Sequence, residues 1–150
     1  KENIIASKER DELVIGVKFL TKHIKSTYKI KVGQKLKLDD KVISIDEVNR
    51  KMFKFSHDKS VEFISADGLQ NEFEIRKWKA GDKFQPIGMK GTKKISDFLS
   101  DEKTSSLGKK EHLVLTNSGR IVWVIGLRID ERFKVMTETK KILKLSLTEK

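Results

Sequence analysis

The chain has 150 residues, of which 37% are apolar and 37% are charged, with a formal net charge of +11 and no cysteine. This composition allows one ordinary domain or two small ones, and it excludes disulfides, thiolate metal sites and a cysteine nucleophile. The longest apolar run, residues 121–127, is too short to cross a bilayer, so we expect no membrane partner. Because the first residue is Lys1 rather than Met, we expect a piece of a longer protein.

Positive charge is concentrated in the second half of the chain. Residues 1–74 carry 15 Lys and Arg against 13 Asp and Glu, whereas residues 75–150 carry 18 against 9. A general lysine bias that only serves solubility should raise both halves together. The asymmetry therefore favours a site for a polyanion such as RNA, DNA or anionic lipid in the second half.

The first half has the pattern of short strands joined by turns. Its apolar or alternating runs lie at residues 13–17, 28–32, 36–38, 42–45, 53–55, 61–64 and 73–75. Turn-forming pairs such as Gly33-Gln34 and Asp67-Gly68 separate them. Residues 21–25 are ambiguous and fit a loop. This spacing predicts five or six strands in a small antiparallel β unit.

The second half changes character at a glycine-punctuated loop, residues 78–91, which holds the only proline. Residues 94–103 then carry apolar side chains at helical spacing, with Thr92 or Ser96 as the expected cap. Residues 105–111 predict a second short helix that Gly108 weakens.

Strands return towards the C-terminus. Residues 113–115 and 120–125 are predicted strands, and Asn117-Ser118-Gly119 is the hairpin turn between them. Residues 127–135 alternate as a further strand, and apolar residues at 142–147 close the chain. We therefore predict an α+β fold. A β-rich connecting subdomain over residues 1–74 packs with a small α+β domain over residues 75–150, which has a mixed sheet and one or two short helices.

The glycine loop is a candidate phosphate site. Gly88 and Gly91 flank Met89-Lys90, and two lysines follow at the start of the predicted helix. Glycines let backbone N–H groups approach a phosphate, and a helix N-terminus favours anions. The pattern predicts phosphate contacts from Lys90, Lys93 and Lys94, although many ordinary surface turns look alike. Ile87 and Met89 are expected to fill the core.

A second constellation lies in the predicted strand at 127–135. Its polar face would carry Arg128, Asp130, Arg132 and Lys134, because side chains alternate along a strand. Asp130 would then bridge the two arginines. The pattern fits a salt-bridged strand and equally an arginine pair that a carboxylate holds for phosphate; the two are compatible.

No catalytic or metal site is predicted. The three histidines, His23, His57 and His112, are far apart in sequence and lack metal-ligand spacing. Asp97 and Asp101 fit a solvated helix face better than an acid–base pair. The sequence contains no P-loop and no nucleophile elbow.

We expect different environments for the two tryptophans. Trp123 lies inside an apolar run, which predicts a core position, whereas Trp78 fits core packing and base stacking about equally.

Two long stretches resemble a known family. The first is RKWKAGDKFQPIGMKG at residues 76–91, continued by KKISDFLSDEK at 93–103, and the second is IVWVIGLRIDERFKV at 121–135. Their sequence, order and separation strongly resemble the C-terminal domain of tRNA(Ile)-lysidine synthase. The resemblance covers residues 72–147 and is weaker over residues 1–71. The connection at residues 104–108 lacks the proline and bulky side chains of the family, which puts the second helix in doubt.

The resemblance implies a function for the parent protein. A bacterial, cytoplasmic ligase of this family uses ATP, with magnesium, to adenylate C2 of the wobble cytidine of tRNA(Ile), and the lysine ε-amine then displaces AMP. Its N-terminal catalytic domain carries a Ser-Gly-Gly-x-Asp-Ser type loop. That loop is absent here, so we expect no catalytic centre and no cofactor in this piece.

The resemblance also implies partners. In the family the C-terminal domain grips tRNA towards the acceptor stem, and a related fold occurs in the β subunit of phenylalanyl-tRNA synthetase. We expect tRNA(Ile) and the missing catalytic domain of the same chain as partners. The expected contacts are Lys90, Lys93, Lys94, Arg128, Arg132 and Lys134, followed by Arg76, Lys79 and Lys83.

Two other classes of function compete with RNA binding. The runner-up is a structural or homodimerisation module with an incidentally basic surface, which would expose an apolar patch around Leu127, Ile129 and Phe133. A stand-alone enzyme is the third, and it would need a pocket that holds Asp97 or His112.

Overall fold

Short antiparallel strands are the main secondary structure of the part of the chain that the structure describes. The computed structural model of the chain describes residues 27–54 and 58–149. The predicted strand at 13–17, the ambiguous segment at 21–25, and His23, Phe55 and His57 lie outside these residues. Within them, no helix is long and apolar enough to cross a membrane.

The described residues form eleven strands, two short α-helices and two 3-10 turns, which confirms the α+β class. They are, in chain order, β1 (Thr27–Lys31), β2 (Lys35–Leu38), β3 (Lys41–Val48), a 3-10 turn (Arg50–Met52), β4 (Val61–Ser65), β5 (Glu72–Lys77), β6 (Lys83–Phe84), β7 (Lys93–Lys94), α1 (Ile95–Asp101), α2 (Ser106–Glu111), β8 (Leu113–Asn117), β9 (Arg120–Val124), β10 (Arg128–Ile129), a second 3-10 turn (Glu131–Phe133) and β11 (Ile142–Glu149).

The strands form two main sheets and one small ribbon. One sheet has the order β10-β9-β8-β5-β1, the other has the order β2-β3-β11-β4, and β6 pairs with β7. Every strand pair in the described residues is antiparallel. The expected mixed sheet is therefore wrong in this detail. Parallel neighbours need a crossover connection, and here hairpins and loops join antiparallel neighbours instead.

Strand pairing crosses the expected boundary at residue 74. That boundary falls inside β5, which joins β1 from the first half to β8 from the second. The C-terminal β11 lies between β3 and β4, with Leu145 opposite both Ile45 and Glu62. Whether residues 1–74 and 75–150 fold independently stays a prediction.

Two apolar cores hold the layers together. The inter-sheet core lies between the two main sheets, and Ile43, Phe73 and Leu143 are fully buried in it. The helix-side core lies on the other face of the five-stranded sheet and contains Phe84 and Leu99. Burying side chains of this size contributes about 1.5–3 kcal/mol each.

A β-bulge in β9 distributes side chains between the two cores. Ile121 is opposite Thr116 and Trp123 is opposite Leu115, so β9 has one extra residue, Val122. As a result Val122 and Trp123 both lie in the inter-sheet core, whereas Ile121 lies in the helix-side core. The predicted core position of Trp123 is confirmed.

Turn geometry agrees with the sequence at the β8–β9 hairpin. Ser118 and Gly119 have φ values of 52° and 82°, and Asn117 is opposite Arg120. Positive φ at both loop residues is the geometry of the common two-residue hairpin turn, which explains why glycine follows serine here.

Three local expectations were wrong. Lys94 precedes α1 without any side-chain cap, so neither Thr92 nor Ser96 caps it. The predicted strand at 53–55 is not present at Phe53, which follows the 3-10 turn Arg50–Met52. The strand predicted at 127–135 ends at Ile129, because Asp130 accepts a hydrogen bond from the amide of Arg132 and starts a 3-10 turn.

The second helix is present despite the departure at 104–108. The Ser105 hydroxyl accepts a hydrogen bond from the Gly108 amide at 3.0 Å and caps α2. A capping serine therefore starts this helix without the family's proline.

Arg50 forms hydrogen bonds with the loop that precedes β11. Its Nη2 donates to the carbonyl oxygens of Met136, Thr137 and Thr139 at 3.2, 3.3 and 2.6 Å. One guanidinium thus closes the loop that precedes β11 and links it to the turn after β3.

We expect Arg50→Ala to lower the free energy of unfolding by about 1–2 kcal/mol, because the variant loses a charged donor to these carbonyls. Urea unfolding followed by tryptophan fluorescence measures this loss. Lys51→Ala is the matched control, because Lys51 is exposed in the same turn and has no hydrogen bond with described residues. Equal effects of the two changes would contradict the role of Arg50.

Candidate nucleic-acid interface

The two candidate constellations, the glycine loop and the segment at 128–134, meet in space. Pro86 forms a β-bridge with Asp130, and the Ile87 amide donates to the Ile129 carbonyl at 3.0 Å. The Glu131 amide donates to the Gln85 carbonyl at 2.6 Å. Positively charged side chains from both segments therefore share one region of the surface.

Asp130 joins these segments from the interior. It is fully buried, and its carboxylate accepts from the amides of Gln85 and Arg132 at 3.0 and 2.8 Å. The Arg132 guanidinium adds bonds of 3.0 and 2.9 Å, which raise the pKa of that guanidinium. Arg132 is therefore bound to a buried carboxylate, which makes it a structural element of the loop.

The expected bridge from Asp130 to both arginines is wrong. Arg128 has no ion pair with described residues, and its guanidinium lies over the Phe98 ring, 5.7 Å from the centroid. The reason is the early end of β10: Arg128 belongs to the strand and Arg132 to the 3-10 turn, so they no longer share a strand face.

Glu131 occupies the place where a phosphate was expected. Its carboxylate accepts from the Gly88 amide at 2.9 Å and from the Lys134 ammonium at 2.5 Å. The Gly88 bond and then the Lys134 bond lower the pKa of Glu131. In the free protein an internal carboxylate therefore uses the Gly88 amide, and the phosphate contacts expected from Lys90, Lys93 and Lys94 stay predictions.

Arg76 braces the other end of the glycine loop. Its guanidinium makes two bonds to the Asp82 carboxylate, at 2.9 and 3.2 Å, and the Lys79 amide adds a third at 2.8 Å. Burial raises the pKa of Asp82, but these bonds outweigh it and hold the pKa below its ordinary value. Arg76 is thus a structural residue of the turn that leads into β6.

The nine predicted contact residues divide into two sets. Four of them form ion pairs with described carboxylates: Arg76 with Asp82, Lys93 with Asp101, Arg132 with Asp130 and Lys134 with Glu131. Lys79, Lys83, Lys90 and Lys94, called here the loop lysines, are exposed and have no ion pair with any described residue. Arg128 is half-buried and unpaired in the same sense.

The loop lysines lie along one hairpin. Lys83 on β6 is directly opposite Lys94 on β7, and Lys90 lies in the loop between these strands. Lys79 begins the tight turn before β6, where the Asp82 amide donates to its carbonyl. Like charges directly opposite on paired strands destabilise the free protein. An anion bound between them would remove this repulsion.

Comparison with known proteins identifies the family. Residues 73–147 match the family model described as the TilS substrate C-terminal domain. The chain belongs to this family. Both stretches that carry the resemblance in sequence, at 76–103 and 121–135, lie inside the matched region.

Relatives of the TilS C-terminal domain family confirm the match. A tRNA(Ile)-lysidine synthase of Bacteroides thetaiotaomicron is 44% identical over 91 residues, which are 61% of this chain and 21% of that protein. The enzyme of the same name from Parabacteroides distasonis is 40% identical over 102 residues, 68% of this chain and 22% of that protein. The chain thus spans about a fifth of the length of these relatives.

A solved structure agrees with the fold of this TilS C-terminal domain. The crystal structure of a TilS C-terminal domain superposes with a TM-score of 0.70 at 18% identity, covering 82% of this chain and 97% of that chain. At this identity the likeness shows the fold alone.

The other residues considered in the sequence analysis contact protein groups in the structure. Trp78 is half-buried against the helix-side core, and its indole Nε1 donates to the Lys109 carbonyl at 2.5 Å. The His112 ring contacts the Ile125 carbonyl at 2.9 Å, and burial lowers its pKa. Ile87 packs against the inter-sheet core as expected, whereas Met89 is 38% exposed, so its predicted core position is wrong.

The apolar patch expected for a dimer does not form. Ile129 and Phe133 are buried, and Leu127 packs against the helix-side core. Homodimerisation itself stays a prediction. No group of three metal-ligating side chains converges within residues 27–54 and 58–149.

Sequence reasoning missed two acidic residues. The sequence analysis assigns no role to Glu131, which pairs with Lys134, or to Glu62, which is half-buried on β4. The signal for Glu131 was the Asp130 two residues before Arg132, since an aspartate that accepts from the amide two residues on begins a turn and breaks the alternation. Nothing local marks Glu62, whose surroundings come from distant strands.

Proposed function

We propose that this chain is the tRNA-contacting C-terminal part of a tRNA(Ile)-lysidine synthase. The observation that carries the proposal is the division of the basic residues. Ion pairs with described carboxylates hold the hairpin in place, whereas the four loop lysines on it are exposed and form no ion pair with any described residue. Exposed lysines on a hairpin that ion pairs hold in place can bind the regularly spaced phosphates of a polyanion. Family membership makes tRNA(Ile) the expected polyanion.

The contacts would act mainly on the RNA backbone. Each lysine that neutralises a phosphate releases a condensed counterion, so the affinity depends steeply on salt. The minor groove of an A-form stem shows shape and 2′-hydroxyls more than sequence. This domain would therefore position the acceptor-stem side of the tRNA and leave the identification of the anticodon to the rest of the enzyme.

The chemistry belongs to the remainder of the parent protein. We propose that the parent is a bacterial, cytoplasmic ligase that uses ATP and magnesium to attach lysine to C2 of the wobble cytidine. In this account the chain provides binding energy and the missing N-terminal catalytic domain performs both reaction steps.

A titration with tRNA tests the proposal. Fluorescence anisotropy of labelled tRNA(Ile) transcript, and of a non-cognate tRNA, is measured against the protein at several salt concentrations. Four phosphate contacts predict a slope of about −3 to −4 in log affinity against log salt. Similar affinities for the two tRNAs would indicate backbone and shape recognition. No binding of either tRNA at low salt would contradict the proposal.

A further inference from the structure

The arginines of the described residues differ in what their guanidiniums contact. Three of them bind protein oxygen atoms: Arg50, Arg76 and Arg132. Arg120 and Arg128 make no hydrogen bond and no ion pair with any described residue, and each lies over a phenylalanine ring. Arg128 is half-buried, whereas Arg120 is exposed. Arg120 therefore combines an exposed guanidinium with N–H donors that the described residues leave unused.

Phe133 places the guanidinium of Arg120. The Cζ atom of Arg120 lies 5.2 Å from the centroid of the Phe133 ring. That ring is buried in the inter-sheet core and ends the second 3-10 turn, so its position is fixed by packing. A cation is attracted to the face of an aromatic ring, and the N–H groups in the plane of the guanidinium stay free. The contact thus orients Arg120 without using its donors.

The same ring connects Arg120 to the hairpin that carries the loop lysines. The Cζ atom of Arg132 lies 5.6 Å from the Phe133 centroid. The Arg132 guanidinium is bound to Asp130, and this carboxylate also accepts from the Gln85 amide. Gln85 directly follows β6, the first strand of the hairpin. A series of direct contacts therefore joins Arg120 to the loop lysine hairpin.

The residues around Arg120 leave its charge without an ion pair in the described part of the chain. Asn117 is directly opposite Arg120 on β8, and its side chain bonds to the backbone of Gln70. The carbonyl of Glu72 also accepts from Asn117, but the Glu72 carboxylate pairs with Lys29 at 3.9 Å. The start of β9 thus presents a positive charge that no described carboxylate neutralises.

We propose that Arg120 binds a phosphate of the RNA backbone, outside the hairpin that carries the loop lysines. The inference rests on the proposed function and extends the RNA contacts to the start of β9. A planar guanidinium can donate two parallel N–H bonds to one phosphate, whereas an ammonium acts as a point charge. Because Phe133 fixes the plane of the guanidinium, Arg120 orients the RNA strand on the domain as well as attracting it.

Anisotropy titrations of labelled tRNA(Ile) transcript with single variants test this contact. For Arg120→Ala we expect an affinity about three- to tenfold lower near 0.1 M salt, with a slope against log salt that is less steep by about 1. Arg120→Lys should keep the slope and lose about two- to threefold, because it retains the charge without the planar fork. Lys37→Ala removes the same charge from an exposed position on β2 and should stay within about twofold of the wild type. Urea unfolding shows whether each variant is folded under the binding conditions.

Arginine footprinting gives an independent measurement on the wild type. The protein is modified with limiting phenylglyoxal, with and without saturating tRNA(Ile), and mass spectrometry reads the modification of Arg120. We expect strong protection in the complex. Equal affinities of Arg120→Ala and Lys37→Ala, or unchanged labelling of Arg120 in the complex, would overturn the inference and leave the proposed function intact. No binding of tRNA by the wild type at low salt would overturn both.

Discussion

Replacing Asp130 with alanine is expected to lower the free energy of unfolding by about 3 kcal/mol. The carboxylate is fully buried and accepts from two amides and from a guanidinium. Its removal leaves the Gln85 amide without a partner, and hydrogen bonds to a charged group contribute about 1.5–3 kcal/mol each. Urea unfolding measures the loss.

Two variants separate the parts of this effect. Asp130→Asn keeps the size of the side chain and should cost less, because one oxygen can still accept. Arg132→Ala leaves the carboxylate buried with only its two amide donors, so we expect a loss of about 2–3 kcal/mol. If Arg132→Ala were neutral for stability and weakened only RNA binding, Arg132 would be an RNA contact, contrary to the assignment made from its ion pair.

Removing the four loop lysines should have the largest effect on RNA binding. With Lys79, Lys83, Lys90 and Lys94 all changed to alanine, we expect tRNA affinity to fall about 100-fold near 0.1 M salt. The slope of log affinity against log salt should also become less steep by about 3. Stability should change little or rise slightly, because the repulsion between Lys83 and Lys94 is removed.

A matched control set of four lysines lies in the first half of the sequence. Lys31, Lys35, Lys37 and Lys41 are exposed on or beside the strands β1, β2 and β3 and have no ion pair with described residues. Their change to alanine removes the same total charge. Equal losses of affinity in the two quadruple variants would mean that net charge, and not the hairpin, determines binding.

Local chemistry made much of the fold predictable. Alternation of apolar and charged residues marks β1 and β2, and the pair Ser118-Gly119 marks the β8–β9 turn. Helical spacing of Ile95, Phe98 and Leu99 marks α1, whose apolar face is buried. These features depend on neighbours within a few residues, which a sequence displays directly.

The partners of the charged residues could not be predicted in the same way. Whether a lysine is paired or unpaired depends on where acidic residues end up after folding. The Gln85 amide donates to Asp130, which is 45 residues away in sequence, and the Gly88 amide donates to Glu131, which is 43 residues away. Glu62 receives its surroundings from β10 and β11. The sequence therefore identified the basic region, while the fold decides which of its cations remain unpaired.

The same distinction explains the error at residues 127–135. Alternation predicts one strand there, but Gly126 has a φ of 81° and the Leu127 amide donates to the Val124 carbonyl, so the chain turns before β10. Asp130 then starts a second turn after only two strand residues. Arg128 and Arg132 are therefore separated, and only Arg132 forms an ion pair with Asp130.

Lysine footprinting shows directly whether the loop lysines contact tRNA. Each lysine is acetylated under limiting reagent with and without saturating tRNA(Ile), and mass spectrometry reads the modification at each position. We expect strong protection of Lys79, Lys83, Lys90 and Lys94, and unchanged labelling of Lys31, Lys35, Lys37 and Lys41. Protection of the second set, with the loop lysines still reactive, would contradict it.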